Sequence, residues 1–423
     1  MAEGRPNIIM VFMDDMGYGD LSSYGHPTIK TPHLDAMADR GIRFTSFYAP
    51  AAVCTPSRSG LLTGKYPVRN ARRNFGPESK TGLLLSETTI AEVLKGKGYK
   101  TAAIGKWHLG HQTEYLPTSR GFDSFYGLPY SNDMILPWCP WLTEEDKLFL
   151  YQDELPTEEI GKNQKDMMLA YHEKASEFIK ASNGSPFFLY LAHSMPHLPI
   201  SAPDRFRGTS VAGLYGDVIE TIDHTIGELF ALLELEGIAN NTMVVFTSDN
   251  GPWHNLPDRM LQDGVQPWHT GSTGVLRGAK MTSYEGGFRV PALITWPNKI
   301  EPNQVNAEIV SAIDLYPTFA AMGGGSDSDL TSNDGYNLLP FLTTNSASPR
   351  STFVYSMGGT LEGIRDGKWK LRLTKDGVEL YNLDTDPSES FNRVTTEDEI
   401  VQRLLTQLKE SAIAMDATIA QVE

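Results

Sequence analysis

Cysteine is almost absent from this sequence, which has only Cys54 and Cys139 among its 423 residues. Two cysteines cannot supply a disulfide framework, so a buried apolar core must provide the stability of the chain. The sequence also has no apolar run close to the roughly 18 residues that a membrane-spanning helix requires. These two absences disfavour a small disulfide-rich scaffold and a transmembrane helix within this sequence.

Positive charge is also scarce. Lys and Arg number 36 against 52 Asp and Glu, which gives a formal net charge of -16. This excess of negative charge disfavours nonspecific binding to nucleic acid or to an anionic membrane. A polyanionic substrate would therefore need a local basic pocket or a bound cation. The opening residues MAEGRP lack the basic and apolar regions of a secretory signal. The sequence leaves two localisations open: a cytoplasmic protein, and a periplasmic or secreted protein whose leader has been removed.

Apolar runs alternate with amphipathic segments through most of the chain. Runs such as NIIMVFM, from Asn7, are apolar throughout, as strands buried on both faces of a parallel sheet are. Their alternation with segments of helical period predicts an α/β fold with a large, mostly parallel sheet between helices. Short strands and a final helix follow the flexible stretch MGGGSDSDLTSNDG and predict a small antiparallel sheet. We therefore expect a main domain over residues 1–335 and a C-terminal α+β subdomain over residues 336–423.

Two apolar runs end in side chains that carry oxygen. Asp14 and Asp15 follow the first run, and Asp249 and Asn250 follow NTMVVFTS. The carboxyl ends of parallel strands meet at the sheet edge where ligands bind in open α/β folds, so these side chains are expected to lie together. Carboxylate and amide oxygens suit Ca²⁺ or Mg²⁺, and a cation would relieve the repulsion among three carboxylates. Taken alone, either pair is also typical of an ordinary turn.

Basic and imidazole side chains follow other strands. Lys106 and His108 come at the end of YKTAAIGKWH, and an extended backbone would aim both to the same side. His193 and His197 lie in the loop after SPFFLYLA, and Lys280 precedes a pair of glycines. Near the carboxylates, such groups would stabilise an anion that gains negative charge in a reaction. Taken singly, each is as easily a packed or solvent-facing residue.

The stretch CTPSRSGLLTG, from Cys54 to Gly64, is the most specific pattern in the chain. A Cys before a Thr-Pro-Ser turn can be a small buried side chain at the start of a helix. The longer string resembles the signature of the type I sulfatases. In that signature a Cys followed by Pro, Ser and Arg at the second, third and fourth positions is oxidised to formylglycine.

Other strings resemble the same family, which is part of the alkaline phosphatase superfamily. They are DDMGYGDLSSYG, GKWHLG, TSDNG, GAKMTSYEGG and, near the C terminus, GKWKL and ELYNLDTDP. The likeness is to the branch that contains arylsulfatase A and N-acetylgalactosamine-6-sulfatase. It implies an alkaline phosphatase-like catalytic domain and an enzyme that hydrolyses sulfate esters.

The resemblance also implies a set of site residues. One Ca²⁺ per chain, with Mg²⁺ as the alternative, would be held by Asp14, Asp15, Asp249, Asn250 and the modified Cys54. Arg58 and Lys106 would hold the formylglycine. Lys280 and His197 would contact the sulfate and its leaving oxygen. Both cysteines are then expected to stay unpaired, because a disulfide would consume Cys54.

In the implied mechanism, the aldehyde of residue 54 is hydrated to a geminal diol, and one hydroxyl attacks sulfur with Asp249 as the base. Lys280 or His197 protonates the departing alcohol. His108 then removes the proton of the second hydroxyl, which expels sulfate and restores the aldehyde. An unmodified Cys offers no second hydroxyl for this last step.

Two alternatives share parts of this pattern. A phosphatase or phosphodiesterase of the same superfamily would have the fold and the carboxylates. Such relatives typically have a Ser or Thr nucleophile and two transition metals, which CTPSR and the ligand set do not match. A catalytically silent glycan-binding homologue would keep Cys54 as a thiol, because the oxidation depends on a formylglycine-generating enzyme of the host.

The expected substrate is a sulfated carbohydrate, with other sulfated small molecules as the alternative. Four side chains that follow Asp249-Asn250 are candidates for stacking on a sugar or aryl ring: Trp253, His254, Trp268 and His269. His193 lies where the family varies and has no implied role. The segment from Tyr130 to Gln164, which includes Cys139, has no clear period and is expected to cross the sheet edge. Cys139 has no predicted chemistry.

Overall fold

The computed structural model describes residues 4–344 and 346–422. Within them the strands, in chain order, are β1 (Asn7–Met13), β2 (Ile42–Phe44), β3 (Phe47–Tyr48), β4 (Lys100–Lys106), β5 (Ser124–Leu128), β6 (Phe149–Gln152), β7 (Leu155–Glu159), β8 (Phe187–Ala192), β9 (Thr242–Ser248), β10 (Ala292–Thr295), β11 (Gln304–Asn306), β12 (Val310–Ser311), β13 (Thr352–Met357), β14 (Thr360–Asp366), β15 (Trp369–Thr374), β16 (Gly377–Asn382) and β17 (Thr418–Ile419). The α-helices are α1 (Pro32–Asp39), α2 (Cys54–Thr63), α3 (Ile90–Gly96), α4 (Met167–Ser182), α5 (Gly213–Leu235), α6 (Glu285–Phe288), α7 (Leu315–Met322), α8 (Asp327–Thr331), α9 (Leu339–Thr344) and α10 (Asp398–Met415).

Ten of the described strands form one mixed sheet in the order β11-β2-β10-β9-β1-β8-β4-β5-β6-β7. Its centre, from β9 to β5, is parallel, whereas β10 runs antiparallel to β9 and β6 antiparallel to β5. β1, β8 and β9 come from continuously apolar runs and are buried at every position. Such strands require cover on both faces of the sheet. The large, mostly parallel sheet expected from the sequence is confirmed.

Helices cover the two faces of this sheet. Alternate residues of β1 point to opposite faces. Ile9 and Val11 pack in a core with α1, α4 and α5, whereas Ile8 and Met10 pack in a second core with α2, α3 and α7. Among the described residues, no helix combines the length and the apolar character needed to cross a membrane.

A second, smaller sheet occupies the C-terminal part of the chain. β13 to β16 pair in sequence as an antiparallel sheet, β17 joins β14 in parallel, and α10 shares a core with them. This agrees with the antiparallel sheet and final helix expected from the sequence. Phe341 and Leu342 of α9 are buried in the core of the main sheet. The division into residues 1–335 and 336–423 stays a prediction.

A buried cluster of charged and tyrosine side chains joins the C-terminal sheet to β3 and α6. Glu285 accepts hydrogen bonds from the hydroxyls of Tyr48 and Tyr355, both at 2.6 Å, and from Lys370 Nζ at 2.9 Å. Lys370 Nζ also lies 2.7 Å from Glu389 Oε1, and the backbone N–H of Glu285 donates to Glu389 Oε2 at 2.7 Å. All five side chains are buried. The cluster therefore fixes β3 and α6 of the main part to β13 and β15.

Two local expectations differ from the structure. The sequence of RFTSFYA, residues 43–49, predicts one strand, but it contributes to two short strands, because β2 pairs with β10 and β11 whereas β3 pairs with β12. The segment from Tyr130 to Gln164 is more than a crossing loop, since β6 and β7 form a hairpin that extends the sheet beyond β5. Strands of two to five residues carry too little periodicity to be recognised in the sequence.

Candidate active site

The paired acidic residues lie at the ends of two neighbouring strands. β1 and β9 are parallel, with Met13 opposite Ser248, so Asp14-Asp15 and Asp249-Asn250 leave the sheet side by side. The backbone N–H of Asp15 donates to Asp249 Oδ1 at 3.2 Å, and Asn250 Nδ2 donates to Asp15 Oδ1 at 2.7 Å. All four side chains are buried. The structure thus brings these four predicted ligands together.

Cys54 is the first residue of α2 and faces the same group of carboxylates. Its Sγ donates to Asp14 Oδ1 at 3.3 Å and lies 4.0 Å from Asp15 Oδ1. Val53 has an extended backbone, the helix starts at Cys54, and Pro56 occupies the first turn, where a missing N–H costs no helical hydrogen bond. The sequence CTPSR therefore places the sulfur at a helix N-terminus.

Arg58 lies one helical turn after Cys54 and is completely buried. Its Nε and Nη2 both donate to Asp249 Oδ2, at 3.0 and 2.9 Å, and its Nη1 donates to the carbonyl of Lys106 at 2.8 Å. These bonds fix the guanidinium to two elements, the end of β9 and the end of β4. Arg58 therefore orients the Asp249 carboxylate from the helix that carries Cys54.

Two lysines from distant segments of the chain contact the carboxylates. Lys106 Nζ donates to Asp14 Oδ2 at 2.6 Å, and Lys280 Nζ lies 2.6 and 2.9 Å from the two carboxylate oxygens of Asp15. Lys280 Nζ also lies 3.2 Å from Cys54 Sγ. With Arg58, the site pairs three cationic side chains with three carboxylates.

The histidines divide into two groups. His108 and His197 line the same cavity as Cys54, and His197 Nε2 lies 3.7 Å from Asp15 Oδ2. His108 has a φ of 62°, so the chain is not extended after Lys106 as the sequence argument assumed, although both side chains reach the site. His193 packs edge-on to Tyr171, with ring centroids 6.1 Å apart, and does not line the cavity.

Burial controls the protonation of the site. It raises the pKa of the Cys54 thiol well above the ordinary value, and the Asp14 carboxylate adds to this effect. Burial and Asp14 likewise raise the pKa of Asp249 to about 7. Burial alone would raise the pKa of Asp14, but Lys106 and other cations lower it well below its usual range. For His108, burial and Lys106 lower the pKa, which keeps the imidazole neutral.

The donor atoms fit a divalent cation. Oxygen, nitrogen and sulfur atoms of Asp14, Asp15, Cys54 and His197 lie within 4.8 Å of one another. Asn250 Oδ1 is buried and has no hydrogen-bond partner among the described residues, a state that normally costs free energy. A cation at this position would give that oxygen a partner. Most of the donors are hard oxygens, which match Ca²⁺ or Mg²⁺.

A cavity of about 300 Å³ gives access to the site. Of the four side chains that the sequence proposed for stacking, only Trp253 lines it; Trp268 is 71% exposed and lies elsewhere. The cavity wall also contains Cys139, Trp141 and Arg259, to which the sequence gave no role. Trp141 and Arg259 lie in segments without a clear hydrophobic period. The one sequence signal for this part of the cavity wall is an aromatic residue, Trp141, in the segment expected to cross the sheet edge.

Comparison with known proteins identifies the family. The family profile described as Sulfatase matches residues 6–325, and that of the N-sulphoglucosamine sulphohydrolase C-terminal region matches residues 279–417. The chain is 36% identical to N-acetylgalactosamine-6-sulfatase of Rattus norvegicus over 412 residues, which are 92% of this chain and 76% of that protein. It is 35% identical to arylsulfatase A of Bos taurus over 478 residues, covering 97% of this chain and 87% of that protein.

A solved structure shares the overall architecture. Ps i-CgsB in complex with k-i-k-neocarrahexaose has a TM-score of 0.83 and 28% sequence identity, and the match covers 97% of this chain and 93% of that chain. The family profile spans the whole region that contains the Asp pairs, Cys54, Arg58 and Lys280. The resemblance first found in CTPSRSGLLTG is thus confirmed: the chain belongs to the sulfatase family and is a sulfuric ester hydrolase.

Proposed function

We propose that this sulfatase hydrolyses sulfate esters of a carbohydrate, using a formylglycine made from Cys54 beside a bound divalent cation. The observation that carries the proposal is the surroundings of Cys54. Its side chain faces the cavity and lies within hydrogen-bonding distance of the Asp14 carboxylate and the Lys280 ammonium. A buried position between an acid and a base, open to a cavity, suits a reacting group better than a packed side chain.

Formylglycine accounts for the choice of Cys at this position. The hydrated aldehyde would supply one hydroxyl that attacks sulfur and a second that lets sulfate leave. The thiol is a poor substitute, because burial and Asp14 raise its pKa, whereas nucleophilic cysteines have a lowered pKa. A sulfate carried on the thiol would also have no neighbouring hydroxyl to expel it.

A calcium ion, with magnesium as the alternative, is the proposed cation. Its ligands would be Asp14, Asp15, Asp249 and Asn250, together with the modified residue 54. The fit rests on the oxygen-rich donor set and on the unpartnered Oδ1 of Asn250. When bound, the ion would act as a Lewis acid toward the sulfate oxygens and offset the charge of the three carboxylates.

The remaining side chains have proposed roles in positioning and proton transfer. Arg58 and Lys106 would hold residue 54, since they bond to Asp249 and to Asp14, whose carboxylate contacts Cys54 Sγ, and Arg58 would orient Asp249 as the base. Lys280 or His197 would give a proton to the leaving oxygen. His108 would remove the proton of the second hydroxyl, a role that its neutral imidazole supports because burial and Lys106 lower its pKa.

The carbohydrate substrate is supported by the cavity and by the relatives. Trp253 lines the cavity, and aromatic side chains are common in sugar-binding sites. One relative is named for the sulfate ester N-acetylgalactosamine 6-sulfate, and the solved structure holds a neocarrahexaose. A sugar sulfate bound with its sulfate at Cys54 would fit a cavity of about 300 Å³.

Mass spectrometry of the Cys54 peptide tests the proposal. The protein is produced in a host that contains a formylglycine-generating enzyme, the proposed maturation partner. We expect the aldehyde in place of the thiol, and a kcat/KM for an aryl sulfate that scales with the aldehyde fraction. Full activity with a fully retained thiol would contradict the mechanism. Cys139→Ala, which removes the other thiol of the chain, is the matched control and should keep the aldehyde at position 54.

Cys54→Ala separates this mechanism from the alternatives. The variant should lose sulfatase activity while it keeps a cooperative unfolding transition. A sulfate ester and its phosphate counterpart, assayed side by side on the wild type, then distinguish a sulfatase from a phosphatase. Phosphate turnover that survives in Cys54→Ala would point to another nucleophile.

A further inference from the structure

Arg259 and Trp141 form a stacked pair on the cavity wall, outside the cluster of carboxylates. The Arg259 guanidinium carbon lies 5.1 Å from the centre of the Trp141 ring, and both residues line the cavity that contains Cys54. Trp141 is 62% exposed, so its ring is accessible from the solvent. The pair therefore presents an aromatic face and a cation to the same space.

Part of the Arg259 guanidinium is free to bind a ligand. Its hydrogen bonds within the described residues all use Nη1, which donates to the carbonyl of Trp138 and contacts Met260 Sδ at 3.3 Å. Asp133, the nearest carboxylate, lies 3.8 Å from the same Nη1. The Arg259 side chain is 26% exposed. Nε and Nη2 thus remain available on an arginine whose position is already fixed.

Trp253 connects this pair to the catalytic side of the cavity. Its ring centre lies 5.8 Å from the Arg259 guanidinium carbon, 5.2 Å from Lys280 Nζ and 5.8 Å from the His197 ring centre. Lys280 and Arg259 therefore contact one aromatic ring and lie within the span of a disaccharide. Two carboxylates, those of Glu78 and Asp133, also line the cavity, so an anion is favoured only where Lys280 or Arg259 can contact it.

We propose that Arg259 and Trp141 form a subsite for the sugar next to the one that carries the scissile sulfate. Trp141 stacks on the ring of that sugar, and Arg259 binds an anionic group on it, either a sulfate or a carboxylate. The inference rests on the proposed carbohydrate function. It names the substrate class as a glycan with anionic groups on adjacent sugars.

The test compares the hydrolysis of disaccharides by the wild type and by variants. A panel of sulfated monosaccharides first identifies a sugar sulfate that the wild type hydrolyses. Disaccharides are then made with this sugar linked to a neutral sugar, to a uronic acid or to a second sulfated sugar. Arg259→Met should lower the ratio of kcat/KM for an anionic disaccharide to that for the neutral one about tenfold to hundredfold, mainly through KM. Comparing the disaccharide that contains a uronic acid with the one that contains a second sulfated sugar shows which anion Arg259 prefers.

Two further variants keep the test decisive if Arg259→Met folds poorly. Arg259→Lys retains the charge and should retain part of the preference. Trp141→Ala alters an exposed side chain and should weaken the binding of every disaccharide. Matched controls are Trp268→Ala, an exposed Trp away from the cavity, and Arg205→Met, whose guanidinium stacks 4.7 Å from the Phe206 ring centre. Both controls should keep the wild-type ratio.

The outcomes distinguish the proposed subsite from the proposed carbohydrate function. If sugar sulfates are hydrolysed and the ratio is the same in Arg259→Met and wild type, the subsite is wrong and the carbohydrate function stands. If aryl sulfates are hydrolysed but no sugar sulfate is, the carbohydrate function fails and the subsite fails with it. A lower ratio in Arg259→Met with unchanged controls supports both.

Discussion

Lys370 Nζ and Glu285 Oε1 form a fully buried ion pair, 2.9 Å apart, that links the C-terminal sheet to the segment carrying Lys280. Glu285 lies five residues after Lys280, at the start of α6. Burial alone would raise the pKa of Glu285, but Lys370, Arg289 and Arg365 lower it to about 2, so this carboxylate is charged in the folded protein. The C-terminal sheet thereby supports the position of a residue at the active site.

The first prediction concerns this pair. Lys370→Met leaves the Glu285 and Glu389 carboxylates buried without their shared cation, so the free energy of unfolding should fall by about 3–5 kcal/mol. Urea unfolding followed by circular dichroism measures the change. Lys147→Met, which removes the exposed partner of Glu159, is the control and should leave the urea midpoint close to that of the wild type. A Lys370→Met midpoint equal to that of the control would refute the supporting role.

The second prediction concerns the divalent cation. Ca²⁺ should stabilise the wild type, by about 2.7 kcal/mol when its concentration is 100 times the Kd, because it binds the folded state. Asn250→Ala and Asp14→Asn should reduce this effect, since each removes a proposed oxygen ligand. Thermal unfolding with and without chelator measures it independently of activity. Asp204→Asn, at an exposed carboxylate, should respond to Ca²⁺ as the wild type does. An equal response in Asn250→Ala would exclude that residue as a ligand.

The third prediction concerns the geometry of Arg58. Arg58→Lys keeps a positive charge but cannot make both bonds to Asp249 and the bond to the Lys106 carbonyl. We expect kcat/KM to fall at least tenfold to hundredfold for an aryl sulfate. Because Arg58 belongs to the CTPSR stretch, activity is normalised to the aldehyde content at position 54 by mass spectrometry.

A matched variant separates this effect from the general loss of a paired arginine. Arg69 also makes two bonds to one carboxylate, that of Asp334, at 2.9 and 3.0 Å, but away from the cavity. Arg69→Lys should therefore keep the normalised kcat/KM. Equal losses in both variants would mean that the Arg58 bonds have no special catalytic role.

The fourth prediction concerns pH. Burial lowers the pKa of His193 to about 3, with a smaller contribution from His172, and neither ring nitrogen has a hydrogen-bond partner among the described residues. The folded state therefore excludes a proton that the unfolded state binds below about pH 6.5. This contribution to stability is present above pH 6.5 and is lost as the pH falls toward 3, by about 1.4 kcal/mol per pH unit.

His193→Leu removes that contribution. Between pH 7 and pH 5 the variant should lose about 2 kcal/mol less unfolding free energy than the wild type does. Urea midpoints at the two pH values measure the difference, and carboxylates that titrate in both proteins cancel in the comparison. An equal change of urea midpoint in the variant and in the wild type would show that His193 is already protonated or accessible in the folded state.

The sequence predicted the parts of the site that lie at strand ends. An apolar run that stops at Asp14 or Asp249 identifies both a buried strand and its carboxyl end, and parallel strands bring these ends to one edge. The placement of Arg58 follows from helical spacing after Cys54. Lys106 and His197 were candidates because each follows a strand, and the family resemblance implied their contacts and those of Lys280; the structure brings all three to the cluster.

The cavity wall was not predictable in the same way. Trp141 and Arg259 are 118 positions apart in the chain, in segments with no regular period, and meet only through tertiary packing. Trp268 was a reasonable candidate by composition, yet it is exposed and does not line the cavity. Local sequence does not specify which loop aromatic faces a site, because that depends on how long loops fold back over the sheet.

The burial of α2 has a consequence for the order of events during synthesis. Every residue of Cys54–Thr63 is buried, so the proposed oxidation of Cys54 by a maturation enzyme would have to precede the closing of the fold. β1 cannot complete its place in the sheet until β8 and β9 exist, and β9 ends only at Ser248. At roughly 5–20 residues per second, the ribosome needs about 10–40 s to travel from Cys54 to that point. The topology that buries Cys54 in the finished protein thus leaves it exposed on the growing chain for that time.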